Sequence, residues 1–253
     1  MVSGTCGAGE EYLGAVWRIV LGSQFSENLS NMKAAVTPRV KICCISSVEE
    51  AALAVEAGAS ALGLVSRMPS GPGVIGDELI AEIAGTVPPA IGTFLLTSRQ
   101  SVEEIVAQQR FCRTNTIQIC DHLAHGTHRE LKVVLPGISV VQVVHVTGPE
   151  SVDEAALLTS VDAILLDSGN QKLAVKQLGG TGRTHDWRLS RAIRKRLQVP
   201  LFLAGGLNPE NVAQAIREVG PFGVDVCSGV RTDGKLDREK LTRFISAARN
   251  VNL

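Results

Sequence analysis

The sequence predicts an α/β protein built as a single (β/α)₈ barrel. Two observations carry this. Eight short apolar runs recur along the chain with helix-like or loop-helix segments between them, the pattern of a parallel sheet with right-handed crossovers. The length of 253 residues also matches the roughly 250 typical of one closed barrel better than two ordinary domains. No GxGxxG opens the first helix, so an open dinucleotide-binding sheet lacks its fingerprint.

Taken in order, the strands fall at 39–44, 61–65, 90–95, 116–120, 139–145, 163–167, 200–204 and 223–226. After the first, Ser46-Ser47-Val48-Glu49-Glu50 supplies a hydroxyl cap followed by glutamates, and Gly58 stops the helix that runs to Ala57. A Gly/Pro/Ser loop from Ser66 to Gly76 follows the second strand. Further helices are expected over 102–109, 187–197, 209–219 and 237–248. The fourth crossover, 124–135, is the least periodic. Residues 1–31 read as a flexible N-terminal extension, glycine-rich and acidic before a short apolar stretch. Residues 32–253 read as the barrel.

Composition limits the function classes. The 25 basic and 25 acidic residues cancel, which argues against a nucleic-acid partner. No apolar run approaches the ~18 residues of a membrane span. Six cysteines without CxxC spacing predict free thiols in a reducing, cytoplasmic setting.

Two strands end in reactive side chains: Lys41-Ile42-Cys43-Cys44 and Leu165-Leu166-Asp167-Ser168. In a barrel the strand ends gather on one face, where such folds carry their chemistry. Alternation puts Lys41 and Cys43 on one side of the strand and Cys44 against the helix layer. Taken alone, Cys43 reads either as a small core hydrophobe or as a reactive thiol, and Asp167 either as a cap or as an acid. Asp225 is a carboxylate inside an apolar run and needs a partner or the polar mouth.

Gly205-Gly206 and Ser228-Gly229 follow the seventh and eighth strands, the usual place for a phosphate held by backbone N–H groups. Gly179-Gly180-Thr181-Gly182 has no strand directly before it and reads as a mobile loop over the mouth. His122, His125 and His128 have a spacing that invites a metal reading, but Gly126 interrupts a helix there and a solvated loop is the expectation. No metal and no cofactor are called for.

In this order, Lys41-Ile42-Cys43, Glu56-Ala57-Gly58-Ala59, Leu166-Asp167-Ser168, Gly179-Gly180-Thr181-Gly182, Ala204–Val212 and Val224–Val230 resemble phosphoribosylanthranilate isomerase of tryptophan biosynthesis. The resemblance runs from about Lys33 to the C-terminus. It implies a cofactor-independent Amadori rearrangement of a small phosphorylated sugar-amine, N-(5-phosphoribosyl)anthranilate, by a monomer or homodimer. It further implies Asp167 as general acid, Cys43 as general base with a lowered pKa, and phosphate at Gly205, Gly206, Ser228 and Gly229. Arg67, Gln118 and Asp225 would bind the rest of the substrate. The chain departs from the family pattern at Cys44 (usually Gly), at Arg67 and Met68 in the second-strand loop, at Cys120-Asp121 (usually His-Gly after Leu), at His185 (usually Phe) and at Arg231 (usually Glu). All lie near the mouth, so the alternative implied is a relative that keeps the phosphate site and takes a different sugar phosphate.

Overall fold

The computed structural model describes residues 37–169, 176–180 and 182–251, so the expectation for residues 1–31 lies outside the described residues. Eight parallel strands close on themselves in sequence order: β1 (Arg39–Ile42), β2 (Ala61–Val65), β3 (Gly92–Thr97), β4 (Thr116–Ile119), β5 (Ser139–His145), β6 (Ala163–Asp167), β7 (Leu201–Leu203) and β8 (Gly223–Val226). The ring is sealed by β1 against β8, where Lys41 lies opposite Asp225.

Among the described residues eight helices follow the strands: α1 (Val48–Glu56), α2 (Asp77–Thr86), α3 (Val102–Cys112), α4 (His128–Val134), α5 (Glu150–Ala156), α6 (Trp187–Arg196), α7 (Val212–Val219) and α8 (Arg238–Arg249). The first begins where its cap predicts, with the Ser47 hydroxyl accepting from the Glu50 N–H, and Gly58 follows its end at φ +100°. In the weak fourth crossover, Thr127 and Glu130 form a reciprocal capping box that starts α4 in spite of the poor periodicity. The third strand starts two residues later than expected. Ala90, after two prolines, takes a left-handed φ of +73°, and pairing begins at Gly92.

Strand alternation divides the apolar residues into two populations. Val40, Ile42, Leu62, Leu64, Ile164 and Leu166 point out to the helices and form the larger core. Ala61, Phe94, Val141, Val143, Leu165 and Phe202 point in and fill the barrel. The inner stack continues upward into polar groups: Lys41, Cys43, Gln118, His145, Asp167 and Asp225 are all buried at the C-terminal end of the strands.

Two expectations fail at the end of β1. The strand stops at Ile42, and Cys44 adopts φ +62°, a left-handed conformation that removes it from the alternation. It therefore turns away from the helix layer and forms a disulfide with Cys227 at the end of β8, with the two Cα atoms 5.8 Å apart. The expectation of free thiols throughout is corrected for this pair; Cys43 and Cys112 keep free, buried thiols, and Cys120 is buried as well. Spacing alone did not show the bridge, because it joins residues 183 apart that meet only when the barrel closes.

A mouth lined by thiol, carboxylates and glycines

An open recess of about 670 Å³ occupies the C-terminal face. Cys43, Gln118, Asp167, Asp225, Gly205, Gly206 and Ser228 all line it. Thus strands 1, 4, 6, 7 and 8 deliver their end residues to one space, as the barrel argument requires.

At the floor, Lys41 is wholly buried and its ammonium donates to Asp225 Oδ1 at 2.9 Å. Its Nζ also lies 5.2 Å from the centre of the Phe94 ring. Burial works against the ammonium, but Asp225 and Cys43 outweigh it and hold the Lys41 pKa above its ordinary value. Asp225 thereby has the partner that its position demanded.

Cys43 stands two residues on, 6% exposed. Burial pushes its thiol up to about 11; Lys41 draws it down, and Asp225 and Asp167 oppose that pull. The expectation of a lowered pKa is not met. The cause is loss of water around the sulfur, which one already paired ammonium does not offset.

Asp167 is buried, and burial raises its pKa. The Ser168 N–H donates to Oδ1 at 2.7 Å and favours the ionised form, as does His145, while Asp225 disfavours it. The balance is upward, toward a carboxyl that keeps its proton nearer neutrality. The other carboxylate oxygen faces Gly179: a Cβ there would lie 2.6 Å from Asp167 Oδ2. The third glycine run therefore leans on the acid itself. Residues 170–175 and Thr181 of that loop are outside the described residues.

Three glycine segments converge on one side of the recess. Gly182 joins Gly205, Gly206 and Ser228 there, and the 183–184 backbone packs so close to Gly206 that a Cβ would fall 2.5 Å from Arg183 C and 2.6 Å from Thr184 N. Gly205 and Gly206 have φ of +84° and +62°, which suits glycine. Gly229 packs against the Leu207 carbonyl in the 3₁₀ turn Ser228–Val230 and supports the loop without lining the recess. An asparagine pair braces this corner. Asn208 Oδ1 accepts from the Glu210 and Asn211 N–H groups, both at 3.0 Å, and the Asn211 amide donates to the Gly206 carbonyl at 3.0 Å. As a result the seventh helix begins at Val212, later than Pro209 suggests.

The polar wall opposite differs more from expectation. Gln118 is 3% exposed, with its Nε2 3.7 Å from Cys120 Sγ and its Oε1 buried without a hydrogen-bond partner. That leaves one amide atom for a ligand, with the oxygen and nitrogen interchangeable by a flip. Arg67 is exposed and outside the lining; its carbonyl accepts from the Ser98 hydroxyl at 3.0 Å. Asp121 is buried and bound to Lys176 at 2.5 Å and to His122 at 3.0 Å. Burial would raise its pKa, but these partners hold it below the ordinary value. His122 also meets Gln100, and His128 meets Gln142 at 2.8 Å, so these two histidines have separate partners. Among the described residues no group of three or more His, Cys, Asp or Glu side chains is placed to hold a metal ion.

His145 is a member of this polar layer that sequence reasoning passed over. It ends β5 directly opposite Asp167, and its Nε2 donates to the Cys120 carbonyl at 3.0 Å. The signal was present: Val141, Val143 and His145 share one face of a strand. His185 bonds the Ser190 hydroxyl at 2.7 Å, and burial pushes its imidazole down to about 4 in spite of Asp186. It is therefore neutral at pH 7.

Known proteins resemble this chain in sequence and fold. The family model for N-(5'phosphoribosyl)anthranilate (PRA) isomerase matches residues 40–247. An N-(5'-phosphoribosyl)anthranilate isomerase 2 of Methanosarcina mazei is 36% identical over 215 residues, covering 84% of this chain and 94% of its own. The isomerase of a Geobacter species is 37% identical over 216 residues, covering 85% and 99%. The solved structure of phosphoribosyl anthranilate isomerase from Thermotoga maritima superposes with a TM-score of 0.69 at 34% identity, over 83% of this chain and 98% of its own. Another such isomerase, solved in complex with reduced 1-(o-carboxyphenylamino)-1-deoxyribulose 5-phosphate, gives a TM-score of 0.67 at 32% identity, over 83% and 98%. With the match running from the first barrel strand into the last helix, the chain belongs to the N-(5'-phosphoribosyl)anthranilate isomerase family.

Proposed function

We propose that this protein catalyses the Amadori rearrangement of N-(5-phosphoribosyl)anthranilate to 1-(2-carboxyphenylamino)-1-deoxyribulose 5-phosphate in tryptophan biosynthesis. One observation carries the reading: Cys43 and Asp167 reach the same recess from different strands, beside three converging glycine segments. The phosphate sits at Gly205, Gly206 and Ser228, with Gly229 behind them, where backbone N–H groups face an anion. Asp167, kept protonated by burial, gives its proton to the ribose ring oxygen. The C1–O bond then breaks as the amine nitrogen lone pair forms the C1=N bond of a Schiff base. Cys43, as thiolate, takes the C2 proton, and that electron pair moves into C1–C2 to give an enaminol that tautomerises to the 2-ketone. Asp225 and the open atom of the Gln118 amide meet the sugar hydroxyls, and Arg67 meets the anthranilate carboxylate after its loop moves. The steps need an acid and a base and no cofactor.

A small phosphorylated metabolite as substrate also supports a cytoplasmic setting without nucleic-acid or membrane partners. Among the described residues no helix is long and apolar enough to cross a membrane. We further propose a monomer or a homodimer; a dimeric isomerase is described from Thermotoga maritima. Light scattering on the purified chain decides between these two. The function is tested by complementation of a tryptophan auxotroph lacking this isomerase. Growth with wild type, and none with Asp167→Asn, is the expected result. Failure of the folded wild-type protein to support growth overturns the assignment.

A further inference from the structure

We propose that Lys41 is the positioning residue that makes Cys43 a base, its buried ammonium standing as the counter-charge of the thiolate. The inference rests on the reading of Cys43 as the proton acceptor. The geometry is specific. Lys41 and Cys43 are the two inward residues at the end of β1, and both reach toward the same gap on β2, where Gly63 lacks a side chain. A Cβ on Gly63 would lie 2.8 Å from Cys43 Sγ and 3.0 Å from Lys41 Nζ. The ammonium has no exposed surface, and its hydrogen bond among the described residues goes to Asp225 Oδ1, one of the three an ammonium can donate.

A buried cation is costly, so a chain that needed only packing here would place an apolar residue. The groups that face Cys43 make the choice intelligible. From β8 and β6 come the carboxyls of Asp225 and Asp167, both of which oppose a thiolate; from β4 comes the thiol of Cys120, close enough to interact; from β1 comes Lys41, which favours it. Asp225, paired with the ammonium, neutralises part of that help. A substrate hydroxyl donating to Asp225 would draw off part of the carboxylate charge and leave more of the ammonium field for the sulfur. Lys41 keeps its three protons throughout; the sulfur alone gains one, as the substrate C2–H bond breaks.

The test is the pH dependence of Cys43 alkylation by iodoacetamide, read by peptide mass spectrometry, alongside kcat and KM. Lys41→Met should shift the Cys43 alkylation profile to higher pH by at least about one unit, slowing modification roughly tenfold at pH 8. It should lower kcat by a similar factor or more with KM nearly unchanged. Asp225→Asn should move the profile the other way, because a charge that opposes the thiolate is gone. Lys41→Met leaves Asp225 buried and unpaired, so the double variant Lys41→Met/Asp225→Asn serves if the single one does not fold. It should again alkylate more slowly than Asp225→Asn. An unchanged profile in folded Lys41→Met, or equal rates in the double variant and Asp225→Asn, overturns the proposal. The alkylation readout does not depend on turnover, so retained activity in Cys43→Ser would sink the base assignment separately.

Discussion

Arg231 grips Glu50 with both ends of its guanidinium, at 2.8 and 3.0 Å, and the same side chain reaches the carbonyls of Cys43 and Cys44. It thus ties the loop after β8 to the first helix and to the end of β1. The pair is well covered by protein, with side-chain exposures of 8% and 15%. The arginine thus takes its acid partner from another element.

Acid sensitivity follows from this pair. Burial alone would raise the Glu50 pKa, but Arg231 and the N–H groups of Leu236 and Ser46 bring it down to about 2. A carboxyl with a depressed folded-state pKa adds stability above its unfolded value, near 4.3, and loses it as pH falls toward 2. The thermal midpoint of the wild type should therefore drop between about pH 4.5 and 2, and Glu50→Gln should flatten that part of the curve. A Glu50→Gln curve parallel to wild type would show that the pair contributes nothing.

Replacing the acid or the base should separate chemistry from binding. Asp167→Asn and Cys43→Ser should each reduce kcat by at least ~10²-fold with little change in KM, because phosphate binding is supplied elsewhere. Steady-state kinetics on the phosphoribosyl substrate check this. Full activity in Cys43→Ser would exclude a thiol base.

Adding negative charge to the phosphate corner should have the opposite signature. Ser228 is exposed at the recess, so Ser228→Asp should fold normally, raise KM by roughly tenfold or more through like-charge repulsion, and change kcat less. Gly206→Asp is the poorer probe, since a side chain there would also strike the 183–184 backbone. Calorimetry with inorganic phosphate gives an independent measure, and unchanged affinity in Ser228→Asp would move the phosphate elsewhere.

Loss of the Cys44–Cys227 bridge should cost stability. Cys227→Ser should unfold about 2–4 kcal/mol more easily than the oxidised wild type, and a thiol reductant should bring the wild type to the same midpoint. Cys44→Gly should lose less than Cys44→Ser, because glycine relieves the left-handed φ of +62° at that position. Equal midpoints for the wild type with and without reductant would show that the bridge adds nothing to the fold.

The architecture was legible because apolar runs and capping motifs repeat locally: Ser47 with Glu50, Gly58, and the runs ending in Cys43 and Asp167 can each be read within a few residues. What escaped depends on residues far apart in the chain. The thiol of Cys43 is governed by burial and by Asp225 from the opposite end of the sequence. Cys44 left the alternation through one backbone angle and found Cys227 across the closure. Arg67 shows the same limit from the other side: its place in the loop resembled a carboxylate-binding arginine, yet its side chain is at the surface outside the recess. Pattern locates elements, whereas proximity across the ring decides electrostatics.

The bridge between Cys44 and Cys227 has a topological meaning. It joins the ends of the first and last barrel strands, at cysteines 183 positions apart in the sequence, and so makes the barrel a covalent hoop. A single cut in any loop between them leaves one molecule, with both pieces held until the bridge is reduced. On a denaturing gel such a nicked chain should run as one band without reductant and as two with it.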